Sequence, residues 1–182
     1  MKIYVVPRNY IEKQIEKDIN WINEKWIISI FSSFYPNYSP IPIDKSNVLK
    51  LQFDDISERD MDSREIEKYD LIFFNQDHAK QIHNFIKNIN DDGIKPFYIH
   101  CDAGVSRSGA VGYMLNEWFN KFINLNRNDN ESFIMNNPYI MPNPLVVRLL
   151  KNEFFGTDYK GVFINDYTFN EDGERIDHIK EV

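Results

Sequence analysis

Residues 96–109 read PFYIHCDAGVSRSG, and they decide the fold. PFYI is a short apolar run of the kind that forms a buried strand. From about Ser108 onward, Val111, Met114, Leu115, Trp118 and Phe122 recur at helical spacing, so a helix follows at once. Strand, tight loop and helix in that order put the loop at the carboxyl edge of a sheet, where α/β folds bind ligands. The helix start there offers unpaired N–H groups and the positive end of the helix dipole.

Outward from this unit, strands and helices alternate. KIYVV (2–6) reads as a strand, and Ile11, Ile15, Ile19 and Ile22 mark an amphipathic helix from Tyr10 to about Asn23. WIISIF (26–31) suits a buried strand, and YPNYSPIPID (35–44), with three prolines, is loop. VLKLQF (48–53) is a third strand, running into Asp54 and Asp55. Residues 54–70 carry eight acidic and three basic side chains and are expected to form an exposed loop. Ala79, Ile82, Phe85, Ile86 and Ile89 define a helix over 77–90, ended at Asp92-Gly93, and Leu145, Val146, Leu149, Leu150 and Phe154 define another. The pattern predicts one α/β domain: a central, mostly parallel sheet flanked by helices in three layers. The domain is expected over 1–158, with 159–182 an acidic tail that either forms a hairpin around NEDG or stays loosely attached.

Composition narrows the function. The chain has 182 residues, of which 42% are hydrophobic and 15% aromatic, enough for a folded core. A net charge of −7 argues against a nucleic-acid partner, since phosphate neutralisation needs a basic surface. A single cysteine excludes an internal disulfide and a thiolate-rich zinc site. No apolar run approaches a membrane span and the start lacks a secretion signal, so no membrane partner and a cytoplasmic setting are expected. His78 and His83 lie on a mixed helix face, His178 lies in the tail, and no metal or other cofactor is expected. Nothing in the sequence speaks to oligomeric state.

A lone cysteine is usually a small buried apolar residue, but the neighbours of Cys101 argue for chemistry. Asp102, Ala103, Gly104, Val105 and Ser106 form a loop whose small residues let successive amides curl round one centre as an anion nest. Arg107 adds a planar fork that matches two oxygens of a tetrahedral anion. A helix N-terminus and a nearby cation favour the thiolate form of a cysteine. Nucleophile and oxyanion cradle therefore come from one loop.

Cys-x5-Arg-Ser, preceded by His100 and written here as HCDAGVSRSG, resembles the signature of the cysteine-dependent protein tyrosine phosphatases, in their dual-specificity-like branch. The resemblance covers about residues 1–155, and the opening strand–helix–strand is similar to a compact bacterial- or phage-type subset. It implies Cys101 as the nucleophile that forms a phosphocysteine and Arg107 as phosphate binder. It implies Ser108 as the hydroxyl that helps the sulfur leave, and His100 as a support behind the loop. It also implies an aspartic general acid after an upstream strand, which puts Asp55 in that role with Asp54 as the alternative. Asp55 stands 46 residues before Cys101, a longer gap than the family's, because the charged stretch 56–75 is inserted. YIMPNPLVVRLLKNEF resembles the family's Pro-Asn element and closing helix, with Arg148 where a Gln is usual. Asn143 there either braces the loop or positions water, or is simply a turn residue.

The loop contains an acid, Asp102, and no lysine, which disfavours polyanionic headgroups and points to a phosphotyrosine-containing protein or peptide as substrate. Two other readings stay open: a phosphotyrosine-binding module without turnover, and a sulfur or arsenate enzyme, which would need an external thiol to resolve its intermediate.

Overall fold

Four strands lie side by side in one sheet, all parallel, in the order β1 (Ile3–Pro7), β4 (Phe97–Cys101), β2 (Trp26–Phe31), β3 (Val48–Gln52). The structure is a computed structural model describing residues 2–34, 39–57, 70–89, 95–119, 130–157, 162–169 and 175–181. The register pairs Val6 with His100 and Ser29 with His100, so β4, which carries the cysteine, is an inner strand.

Strand alternation sends successive side chains to opposite faces, and both faces are covered. Ile28, Ile30, Leu51, Phe97 and Ile99 point into the larger core. That core is completed by α2 (Gln76–Lys87), α3 (Arg107–Trp118) and α5 (Pro144–Phe155). Val6, Ile27, Val48 and Tyr98 point the other way, onto Ile11 of α1 (Arg8–Lys17) and Ile22 of the following 3-10 helix (Ile19–Glu24). The expected three-layer α/β architecture is what forms.

Several details differ from the expectation. The first helix breaks at Asp18, which adopts extended backbone and accepts from the Asn20 N–H, restarting the chain as a 3-10 turn. The third helix is buried beyond its apolar stripe: Arg107 through Asn116 are all buried, because α3 is roofed by α5 and by α4 (Asn130–Asn136). The helix α4 was not anticipated from the sequence at all. The start of the acidic stretch is not solvated either, since Asp54 and Ile56 are buried; residues 58–69 of that stretch lie outside the described residues, as does Asp92-Gly93. The tail forms a hairpin of β5 (Val162–Phe169) and β6 (Arg175–Glu181), antiparallel and paired in a sheet of its own. No helix among the described residues is long and apolar enough to cross a membrane.

Close packing of α3 on the sheet depends on Gly112. A Cβ there would meet Val5 Cγ2 at 2.6 Å, with Phe133 and Ile99 side chains at 3.3 and 3.4 Å. Overpacking of this kind costs about 1–3 kcal/mol, offset by up to about 1 kcal/mol of helix propensity. Gly112→Ala is therefore expected to lower stability by up to about 3 kcal/mol in urea unfolding, and a raised midpoint would contradict this packing.

Candidate active site

β4 ends at Cys101 and α3 begins at Arg107, leaving five residues to make the turn. Three carbonyls of this turn are tied outward. Asp102 O accepts from the Arg8 N–H at 3.2 Å, Val105 O from Met141 N–H at 3.1 Å, and Ser106 O from Asn143 N–H at 3.3 Å. In a trans peptide the next N–H points opposite to the carbonyl. The amides of Ala103, Ser106 and Arg107 are thereby turned away from these supports. Gly104 has φ +74°, and a Cβ on it would stand 2.5 Å from Pro7 N and Val6 C, so only glycine fits between the loop and the end of β1.

Cys101 is 2% exposed, with Sγ 3.1 Å from the fully buried Ser108 Oγ. Ser106 stands at the N-cap of α3 yet makes no side-chain cap, which leaves the first-turn amides of the helix to another acceptor. Arg107 is 5% exposed: Nη1 donates to Phe53 O at 2.9 Å and Nη2 to Asp102 Oδ2 at 2.6 Å. Its Nε is buried with no hydrogen-bond partner, a donor available for an oxyanion. Beneath the loop, His100 is fully buried with Nε2 2.8 Å from Ser29 Oγ. Burial, reinforced by the nearby Arg8 and Arg107 charges, lowers its pKa to about 4, so the ring is neutral at ordinary pH.

The two aspartates after β3 separate cleanly. Asp54 is 5% exposed and faces inward, accepting from Ser32 Oγ, from Ser33 N–H at 3.0 Å and from Ile72 N–H at 2.8 Å. Burial acts to raise its pKa, but these hydrogen bonds outweigh it and the net shift is downward. Asp54 is a structural carboxylate joining three segments. Asp55 is exposed, and its Oδ1 accepts from Ser106 Oγ at 2.7 Å and from Asn143 Nδ2 at 2.8 Å. Asn143 does more than turn the chain: Nδ2 also donates to Ile56 O at 3.1 Å, while Oδ1 caps α5 through Leu145 and Val146 N–H.

Neither protein-family sequence models nor curated protein sequences give a match to the chain. Solved structures do. The human tyrosine phosphatase-like serine/threonine/tyrosine-interacting protein superposes with a TM-score of 0.52 at 18% identity, over 82% of this chain and 89% of that one. The chain has the protein tyrosine phosphatase fold. Two further likenesses are the PTP-2 phosphatase of Cydia pomonella (TM-score 0.49, 14% identity, 100% of this chain and 95% of that one) and PTPMT1 in complex with PI(5)P (0.47, 12%, 84% and 90%).

On this phosphatase fold, the residues singled out from sequence converge on one sheet edge: Cys101, the loop 102–106, Arg107, Ser108 and Asp55, with His100, Asp54 and Asn143 in support. Sequence reasoning missed Arg8, whose side chain pairs with Asp102, and the hydroxyls of Ser29 and Ser32. A signal existed for Arg8 and Ser32, since each directly follows a parallel strand and so shares the edge with Cys101. His78 has a structural role, accepting from the Asn75 N–H in a capping box, and burial lowers its pKa. His83 pairs with Glu153 at 2.8 Å. Arg148 is exposed on α5.

Two outcomes follow from this geometry. A carboxylate whose folded pKa is depressed contributes stability above its unfolded value, near 3.8, and that contribution is lost as pH falls through the folded pKa. Asp54→Asn should therefore lower the urea midpoint at pH 6 and converge on wild type below about pH 3.8; a gap that stays constant would refute the ionised clip. Gly104→Ala should cost the protein its affinity for a tetrahedral oxyanion in calorimetric titration, and retained affinity would show that the contact with β1 is dispensable.

Proposed function

We propose that the chain is a cysteine-dependent phosphomonoester hydrolase acting on phosphotyrosine in proteins or peptides. One observation carries this reading: Asp55, 51 positions from Ser106, is hydrogen-bonded to the same short loop that joins Cys101 to Arg107. A nucleophile, an oxyanion cradle and an acid then share one mouth. The Cys101 sulfur attacks phosphorus in line while the bond to the tyrosine oxygen breaks, and Asp55 delivers a proton to that oxygen. The loop amides and Arg107 hold the equatorial oxygens as charge redistributes. Water then attacks the phosphocysteine, the Asp55 carboxylate takes its proton, and the Ser108 hydroxyl stabilises the departing sulfur. Phosphate is released and the thiolate restored.

The substrate class is argued from charge. The loop holds no lysine and one carboxylate, and the chain carries a net −7, so a lipid headgroup with several phosphates would meet little positive field. The proposed setting is the cytoplasm, in keeping with one unpaired thiol.

The test is a panel of phosphotyrosine peptides, phosphoserine peptides and phosphoinositide vesicles with wild type and Cys101→Ser. Wild type should release phosphate from the phosphotyrosine peptides, and Cys101→Ser should bind them without turnover. Undiminished hydrolysis by Cys101→Ser overturns the nucleophile, and binding without turnover by wild type makes the chain a phosphotyrosine-binding module instead. Asp55→Asn should slow the peptide reaction by about 10²–10⁴-fold and an activated aryl phosphate far less. Equal slowing of both would remove Asp55 from the acid role.

A further inference from the structure

Beside the cup stands a second arginine that the phosphoryl-transfer chemistry leaves unused. Arg8 opens α1 at the carboxyl end of β1, and its backbone N–H holds the Asp102 carbonyl at 3.2 Å. The Asp102 carboxylate is shared between two guanidinium groups: Oδ2 lies 2.6 Å from Arg107 Nη2, and Oδ1 is ion-paired with Arg8. The side chains of Arg8 and Arg107 are 16% and 6% exposed, whereas that of Asp102 is 39% exposed. Asp102 is the member of the trio with room to turn.

Competition follows from the shape of the fork. An arginine takes an oxyanion side-on through Nε and the Nη on the same edge. In Arg107, Nε is buried without a partner while Nη2 is held by Asp102. A tetrahedral dianion and the Asp102 carboxylate therefore seek the same donor edge, and they repel each other besides. Resting on the phosphatase reading of this cup, we propose that Arg8 and Asp102 form a charge latch that tunes its affinity for oxyanions. Asp102 occupies Arg107 until an oxyanion arrives, and Arg8 then retains the displaced carboxylate as a neutral pair. Arg8 is a positioning residue that acts through Asp102 and does not touch the oxyanion.

A double-mutant cycle separates this from a direct role. Tungstate, a tetrahedral dianion, is titrated calorimetrically into the full chain as wild type, Asp102→Asn, Arg8→Gln and the double variant, with KM for an aryl phosphate measured in parallel. Asp102→Asn should bind tungstate about two- to fivefold more tightly and Arg8→Gln about two- to fivefold more weakly, the scale of a partly exposed charge pair. In the double variant the Arg8→Gln penalty should vanish, and Arg8→Lys, which keeps the charge, should stay within about twofold of wild type. A penalty of equal size in both backgrounds means that Arg8 contacts the anion itself, and it overturns the latch. So does an Asp102→Asn protein that binds no more tightly than wild type. Absence of tungstate binding in all four proteins would sink the reading of the cup as an oxyanion site, and the latch with it.

Discussion

The contact on which the site depends is between two stretches of backbone. Gly104 approaches Val6 and Pro7 so closely that a hydrogen atom is the only substituent that fits, and its left-handed φ bends the loop back toward Arg107. That approach brings the end of β1 against the loop after β4. The Arg8 amide can then hold one carbonyl of the turn, while Met141 and Asn143 hold two more from the other side. With its carbonyls tied outward on both flanks, the loop has little freedom in where its amides face. Amides turned to one side are a costly arrangement of like dipoles, and here main-chain bonds to carbonyls of the loop hold it in shape.

Neighbouring aspartates after β3 show how one strand end can serve two ends. Beyond the end of β3 the chain turns Asp54 into the protein and leaves Asp55 exposed. The inward carboxylate is surrounded by donors from Ser32, Ser33 and Ile72, which fasten the loops after β2 and β3 to the segment before α2. The outward carboxylate meets Ser106 of the loop after β4 and Asn143 before α5. Stability is assigned to one side chain and access to the other, so the exposed acid need not anchor the chain that carries it.

Much of this was legible in the sequence for a physical reason. Buried parallel strands are short apolar runs, and WIISIF and PFYI could be read directly because both faces of the sheet are covered. The strand, five-residue turn and helix over Phe97–Trp118 were legible because they follow one another within one local stretch. What escaped depends on contacts between distant segments. Burial of α3 on every side comes from α4 and α5, and nothing within Arg107–Trp118 announces it. Pairing of Arg8 with Asp102 spans most of the domain and exists only because β1 and β4 are neighbours. For Asn143 the choice between bracing the loop, positioning water and merely turning the chain stayed open, because its side-chain partners, Asp55 and Ile56, lie 88 and 87 positions away.

The burial of Arg107–Asn116, most of α3, also governs how this edge of the sheet can open. A helix with no solvent face cannot fray or slide on its own, because any displacement opens the core that surrounds it. Arg107 and Ser108 sit in the first turn of that helix and Cys101 one short loop before it, so local opening cannot release them separately from the rest of the domain. Amide exchange from Ala110 to Asn116, where the N–H groups are bonded within the helix, then belongs to the slow class, and thermal exposure of these residues coincides with loss of the core.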